Sequence, residues 1–340
     1  MKITVFEVED WEREVFSDLA TEHEVTFVRE PLTGANADEH ADVDVVAVFI
    51  YSKLTADTLS RFAHLKHVAT RSTGYDHVDL EWCNEHNVVV TNVPTYGDNT
   101  VAEHTMGLLL TISHNLTEAI DRTRKGDFSF VGLQGFDLRD KVFGIIGTGS
   151  IGQHVIRMAS GFSMDVIAFD VKPDQALAEE LGFRYVSMEE LLSSSDIITL
   201  HVPYSPKTHH LISDDEFDQM KDGVVFLNTS RGPLMNVKAL VQAIAKKKVR
   251  AAGLDVLPEE PMIREEAELL HHAFREQHHM ETLLADHILL RLRNVYITPH
   301  SAFNTREAVM RILETTIGNI RSIAGGDAVN VVNQVAHDDR

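Results

Sequence analysis

Short apolar runs rich in β-branched residues alternate along this chain with stretches of helical spacing. Lys2 to Val8, Val43 to Ile50, His67 to Thr70 and Val88 to Thr91 read as strands, and Thr55 to His64 between two of them has helical spacing. That alternation predicts a parallel sheet covered by helices. Asn99 to Asn115 is apolar over a length that suits a buried helix, with Asp98 or Asn99 as its cap. A second series opens at Lys141, with strands at Val142 to Ile146, Asp165 to Asp170, Ile197 to Val202, Val224 to Asn228, Ala251 to Val256 and Val295 to Thr298. A last helix, Thr305 to Ala324, closes the pattern and suits either series. Two α/β series imply two parallel-sheet domains in 340 residues. Met262 to Arg293 is polar, charged and helix-prone, an excursion from the second domain.

Composition narrows the function. The formal charge of −21 disfavours phosphate backbones and anionic membrane surfaces, so neither nucleic acid nor membrane is expected as a partner. No apolar run approaches a membrane span, and the acidic start after Met1-Lys2 lacks the form of a signal peptide, which predicts a cytoplasmic protein. A salty cytoplasm would also favour acidity, although Lys and Arg still number 31. Cys83 is the sole cysteine, which excludes an intrachain disulfide or a zinc–thiolate cluster and reads as a buried bystander.

The second series opens on Gly147-Thr148-Gly149-Ser150-Ile151-Gly152, a G-x-G-x-x-G run between an apolar strand and a helix. Gly147 permits a tight turn, Gly149 lets a pyrophosphate approach the backbone, and Gly152 lets the helix pack close. The helix N-terminus offers free N–H groups to phosphate. Asp170, at the end of the next strand, suits the adenosine ribose hydroxyls and would repel a 2′-phosphate, so NAD is expected over NADP, a preference that nearby Lys172 softens.

Three groups follow strands of the same series: Arg231, Glu260 and His300. Ligands of open α/β sheets bind at the carboxyl ends of strands, where these groups would converge. Reducing a 2-oxo acid needs a hydride and a proton. His300 suits proton donation near neutral pH, Glu260 would orient the imidazole and favour its charged form, and Arg231 offers forked donors to a carboxylate and carbonyl.

These stretches resemble the D-isomer-specific 2-hydroxyacid dehydrogenases: Gly147 to Gly152, Leu200 to Pro203, Phe226 to Gly232, Gly253 to Pro261 and Thr298-Pro299-His300, over about Arg71 to Ala324. The resemblance implies an Arg–Glu–His mechanism, a flavodoxin-like substrate domain (1–98 plus 301–340), an NAD-binding Rossmann domain (99–300) with the excursion near 262–293, a cleft between them, and a homodimer formed through the NAD domain. It implies further that Thr73, Gly74 and Tyr75 form a carboxylate-binding loop, that Asp255 contacts the nicotinamide amide, and that His201, Val202, Pro203, Thr208, Thr229 and Ser230 border the cofactor. Within the family the chain is most similar to D-lactate dehydrogenases, in which Tyr51, Tyr96 and Phe303 would wall a small pocket suited to the methyl group of pyruvate.

Glyoxylate, hydroxypyruvate or 2-oxobutyrate remain open as substrates, since one methylene changes pocket affinity by only about 1–3 kcal/mol. Formate and phosphite are further rivals, and the tyrosines favour a small 2-oxo acid over formate. A sensing protein that binds NAD(H) on the same fold is the alternative of another class. His271, His272, His278, His279 and His287 in the excursion read as a solvated helical face rather than a metal site; covering the cleft or touching a neighbouring subunit is also open.

Overall fold

The computed structural model describes residues 1–258 and 284–334. The chain divides into two compact units, Met1–Tyr96 with the residues from Thr305 onward, and Gly97–Asn304. Among the described residues no helix is long and apolar enough to cross a membrane.

The first unit holds β1 (Lys2–Val5), β2 (Glu24–Phe27), β3 (Val45–Val48), β4 (His67–Thr70) and β5 (Val89–Thr91), in the order β2-β1-β3-β4-β5. Every pairing is parallel. β3 and β4 are buried at every position, as a parallel sheet with both faces covered requires. The closing helix, Arg306–Gly325, belongs to this unit. Thr305 caps its start and Gly326, at φ 89°, ends it in the left-handed conformation. Asn319 on this helix donates to the Asn92 carbonyl at 2.8 Å, which ties the helix to the chain after β5.

The second unit holds β6 (Val142–Ile146), β7 (Asp165–Phe169), β8 (Arg184–Tyr185), β9 (Ile197–Leu200), β10 (Val224–Asn228), β11 (Val249–Leu254) and β12 (Val295–Ile297). Their order is β12-β11-β10-β9-β6-β7-β8, again all parallel. The loops after all these strands therefore lie along one sheet edge. Strand order reverses between β6 and β9, and such a reversal opens the crevice where ligands bind in doubly wound sheets. In the first unit the equivalent reversal lies between β1 and β3. The helix Asp98–Ser113 packs on the second sheet through buried Ala102, Met106, Leu109 and Ile112.

The two parallel sheets are those the sequence predicts; the differences are local. Gly97, not Asp98 or Asn99, is the N-cap of the long helix. In the helical run at 284–289, Ala285 and Leu289 join the core of the second unit, Leu284 and Ile288 stay exposed, and His287 is half-buried. Glu260 and the four histidines between 271 and 279 lie outside the described residues. Cys83 is fully buried and burial pushes its thiol up to about 12, so it is chemically inert near neutral pH.

Among the described residues each unit buries one neutral histidine. His67 is fully buried on β4, and burial pushes its pKa from 6.5 down to about 3; its Nε2 lies 2.8 Å from Thr91 Oγ1. Burial does the same to His201, also to about 3. Between about pH 6.5 and pH 3 the unfolded chain holds a proton at each site that the folded chain does not. This contribution is therefore complete above the unfolded pKa and is lost as the pH falls towards 3, by up to about 1.4 kcal/mol per pH unit per histidine. Urea unfolding of His67→Gln from pH 7 to pH 4 is expected to show a shallower pH slope than wild type, by about one proton. Identical slopes would show that His67 is not neutral in the fold.

Candidate active site

The glycine loop follows β6 at the point of strand reversal. Gly147 has φ 100°, and a Cβ there would stand 2.5 Å from the His201 carbonyl oxygen. Only glycine allows the loop after β6 to lie against the loop after β9. A Cβ on Gly152 would meet the Gly147 carbonyl oxygen at 2.2 Å, so the helix Ser150–Gly161 is seated directly beneath the turn. Gly149 is different: it is exposed, and nothing lies within 4 Å of where its Cβ would be. Exposed Gly149 and Ser150 at the helix start leave room for an anion. Ile151 packs into the core below.

Asp170 stands just beyond β7. Its carboxylate accepts from Thr148 N at 2.8 Å, Thr148 Oγ1 at 3.0 Å and Lys172 N at 2.9 Å. Partial burial pulls its pKa up, but these donors outweigh burial and hold it below the usual carboxylate range. Thr148 Oγ1 also lies 2.8 Å from Tyr185 Oη on β8, so Thr148, with its proton given to Asp170, accepts from the tyrosine. A charged acceptor beside an open glycine turn fits the ribose and pyrophosphate of a dinucleotide.

The loop after β9 supports this turn. His201 is buried, neutral and paired with Thr199 Oγ1 at 3.0 Å, while Val202 packs against the core. Pro203 is exposed, and Thr208 closes the turn behind it by donating to the Pro203 carbonyl at 2.9 Å.

Arg231 follows β10. Asn228 fastens its turn at both ends: Asn228 Nδ2 donates to the Arg231 carbonyl at 2.9 Å and Asn228 Oδ1 accepts from Ser230 N at 3.0 Å. Ser230 Oγ donates to the Leu200 carbonyl at 2.7 Å, and the Arg231 Nη1 donates to the Ser230 carbonyl at 2.8 Å. A Cβ on Gly232 would stand 2.3 Å from the Leu257 carbonyl carbon, so the arginine turn lies hard against the Leu257–Pro258 backbone.

His300 follows β12 in the left-handed conformation, φ 52°. Its backbone N–H donates to the Asp255 carbonyl at 2.9 Å. The Asp255 side chain is 1% exposed and holds the same hairpin: it accepts from Ser301 N and Ala302 N, each at 2.9 Å, and from the Thr298 hydroxyl. The Asp255 carboxylate is thus directed at the histidine loop.

In the first unit, Arg71 points inward. Its guanidinium is 2% exposed, pairs with Glu12 at 3.3 Å and donates to the Phe6 carbonyl at 2.7 Å. The following loop spends its carbonyls internally. Ser72 Oγ donates to the Gly74 carbonyl at 2.6 Å and Asn92 Nδ2 to the Thr73 carbonyl at 2.8 Å. Among the described residues, the N–H groups of Thr73, Gly74 and Tyr75 donate to no protein acceptor. Such a loop offers a set of N–H donors to an anion. Tyr51 is exposed and Tyr96 half-buried in this unit; Phe303, in the other, is half-buried. Glu7 has no place among the residues singled out from the sequence. Its carboxylate accepts from Phe49 N and Tyr51 N, each at 2.8 Å, and from Ser52 Oγ at 2.6 Å, so that it shapes the loop bearing Tyr51. Its signal in the sequence is slight, one acid after an apolar strand.

The chain is similar to known proteins over most of its length. The sequence profile of the D-isomer specific 2-hydroxyacid dehydrogenase NAD-binding domain matches residues 106–302. A 2-hydroxyacid dehydrogenase homolog of Zymomonas mobilis is 36% identical, with 89% of this chain and 90% of that protein covered. The D-lactate dehydrogenase of Escherichia coli is 33% identical over 96% of this chain and 98% of its own. The structure of the Aquifex aeolicus D-lactate dehydrogenase complexed with NAD and lactic acid superposes with a TM-score of 0.85 at 33% identity, covering 96% of each chain. The chain belongs to the D-isomer specific 2-hydroxyacid dehydrogenases, and is an NAD-dependent oxidoreductase.

Proposed function

We propose that this enzyme reduces pyruvate to D-lactate. The observation that carries the reading is the sheet edge of the second unit, where the open glycine turn after β6, the Arg231 turn after β10 and the His300 hairpin after β12 all emerge. The D-lactate dehydrogenases among the relatives support this substrate, and with it the roles that the resemblance gives to Tyr51, Tyr96 and Phe303.

Gly147 to Gly152 and Asp170 would hold the pyrophosphate and ribose of NAD, with the loops at His201–Pro203, Thr208, Thr229 and Ser230 shaping the same site. When bound, NADH supplies the hydride that reduces the substrate carbonyl carbon. Thr73, Gly74 and Tyr75 hold the substrate carboxylate through their N–H groups. Arg231 engages the carboxylate and the carbonyl oxygen, and draws negative charge onto that oxygen. As the C–H bond forms, the carbonyl π pair moves to oxygen, which takes its proton from the His300 imidazolium and leaves a neutral imidazole. Glu260 stabilises the charged imidazole. Asp255, its carboxylate already engaged, holds the His300 hairpin.

Oxidation of NADH is followed at 340 nm with pyruvate, 2-oxobutyrate, glyoxylate, hydroxypyruvate and phenylpyruvate, each repeated with NADPH. Pyruvate is expected to give the highest kcat/KM, with NADH preferred and D-lactate the product. A higher value for glyoxylate or hydroxypyruvate would reassign the substrate. NADH binding without turnover of any member would point to a sensing protein.

His300→Ala is expected to lower kcat by about 100- to 10,000-fold, the usual yield of a positioned acid, with NADH affinity near wild type. Arg231→Lys should also be severely impaired, because an ammonium does not reproduce the forked contact. Full activity of Arg231→Lys would remove Arg231 from the mechanism.

The assembly we infer is a homodimer formed through the second unit. Phe128, Phe130 and Val131 there are 82%, 85% and 74% exposed, next to a helix that also exposes Leu116 and Ile120. Exposed apolar clusters of this kind mark interaction surfaces. Light scattering should report a dimer for wild type and a monomer for Phe128→Ser with Phe130→Ser; a monomeric wild type refutes the assembly.

A further inference from the structure

Two consecutive residues of the helix Asp98–Ser113 reach the two catalytic loops. His104 Nε2 lies 2.9 Å from Thr298 Oγ1 and 3.5 Å from Asp255 Oδ1. Thr105 Oγ1 lies 2.8 Å from Thr229 Oγ1. Side chains at adjacent helical positions diverge by roughly 100°, so a single turn of helix can address two neighbouring loops.

Counting protons fixes the direction of each bond. A threonine hydroxyl has one proton, and an ionised carboxylate only accepts. Thr298 donates to Asp255, so its contact with His104 runs from the imidazole Nε2–H to the Thr298 oxygen. Thr105 donates to the Val101 carbonyl at 2.8 Å, so Thr229 must donate to Thr105. One chain therefore runs His104 to Thr298 to Asp255, and Asp255 in turn takes Ser301 N and Ala302 N, next to His300. The other runs Thr229 to Thr105, two residues before Arg231. Thr105 is fully buried and Thr229 nearly so, so no water competes readily for that bond.

We propose that His104 and Thr105 are positioning residues that bracket the two catalytic loops and fix the placement of His300 relative to Arg231. Each acts through its threonine partner, Thr298 or Thr229. The helix that carries them is anchored in the core by Ala102, Met106 and Leu109, so its frame is rigid. A displacement of about 1 Å at a catalytic group can cost about 100-fold in rate, which is the scale on which such a bracket matters. The proposal rests on the roles given to Arg231 and His300 above.

The test compares a disruptive and a conservative variant at each position, under steady-state assay with pyruvate and NADH. His104→Gln keeps an N–H donor at a similar reach, and His104→Leu removes it; Thr105→Ser keeps the acceptor, and Thr105→Val removes it. Folding of each variant is checked by its NADH binding and thermal midpoint. His104→Leu and Thr105→Val are expected to lose about 10- to 100-fold in kcat while NADH affinity stays within about two-fold. The kinetic isotope effect with NADH deuterated at the transferred position should rise, because the chemical step becomes slower. His104→Gln and Thr105→Ser should stay within about three-fold of wild type in kcat. Wild-type kcat in both disruptive variants overturns the bracket, as does equal loss in the conservative and disruptive variants. If His104→Leu does not fold, the pair at Thr105 decides by the same criteria. Should His300→Ala and Arg231→Lys be impaired while the bracket variants are not, the bracket alone fails; should those two also be fully active, the assigned mechanism fails.

Discussion

A carboxylate buried to 1% exposure, as at Asp255, must be supplied with donors or it would unfold its surroundings or take up a proton. Asp255 is supplied with two backbone N–H groups and a threonine hydroxyl, all from the stretch Thr298 to Ala302. That demand determines the course of the chain after β12. The strand cannot run on in extended form, because Ser301 N and Ala302 N must both turn back toward one side chain. The turn falls on His300, at φ 52°. A non-glycine residue there costs about 1–3 kcal/mol and persists only where its surroundings over-determine it. The donors to Asp255 are those surroundings.

The two sheets use their strand reversals in different ways. In the second unit the reversal between β6 and β9 is kept open at Gly149, where a Cβ would meet nothing. In the first, the reversal between β1 and β3 is filled from within by the Glu7 carboxylate, which takes the N–H groups of Phe49 and Tyr51. Arg71 completes that arrangement by holding the Phe6 carbonyl. One crevice is therefore suited to a large anionic ligand. The other is a plug that gives the Tyr51 loop a fixed shape.

What the sequence revealed follows from how each segment is buried. Val142–Ile146 and Val224–Asn228 are legible to the residue, because strands covered on both faces are nearly continuous apolar runs, and His67–Thr70 is legible from its short buried Val-Ala centre. Glu24–Phe27, an edge strand of four residues that alternates exposed and half-buried positions, forms no apolar run and goes unread. The glycine turn was legible because its residue types are dictated locally, by a positive φ at Gly147 and a close approach at Gly152. His104, Thr105 and Tyr185 were not, because their partners lie 194, 124 and 37 residues away. Three consecutive polar residues, Glu103 to Thr105, between the apolar positions of the helix Asp98–Ser113 are the local sign.

The same contrast explains why chemistry is easier to read here than substrate. A positioned proton donor and a forked cation are demanded by the reaction, so their residue types admit few substitutes. A pocket wall has only to exclude volume, and about 1–3 kcal/mol per methylene is within reach of many aromatic and aliphatic combinations. Tyr51 illustrates the point: its place depends on Glu7, which grips the backbone of its loop and is indifferent to the side chain the loop carries. The side chain at position 51 can therefore change without disturbing the loop that carries it. Asp255 likewise grips backbone, at Ser301 N and Ala302 N, so it sets where residue 300 stands, while the reaction itself sets which side chain must stand there. In both loops a carboxylate fixes the backbone and leaves the side chain to be chosen by its task, which admits few residue types for a proton donor and many for a wall.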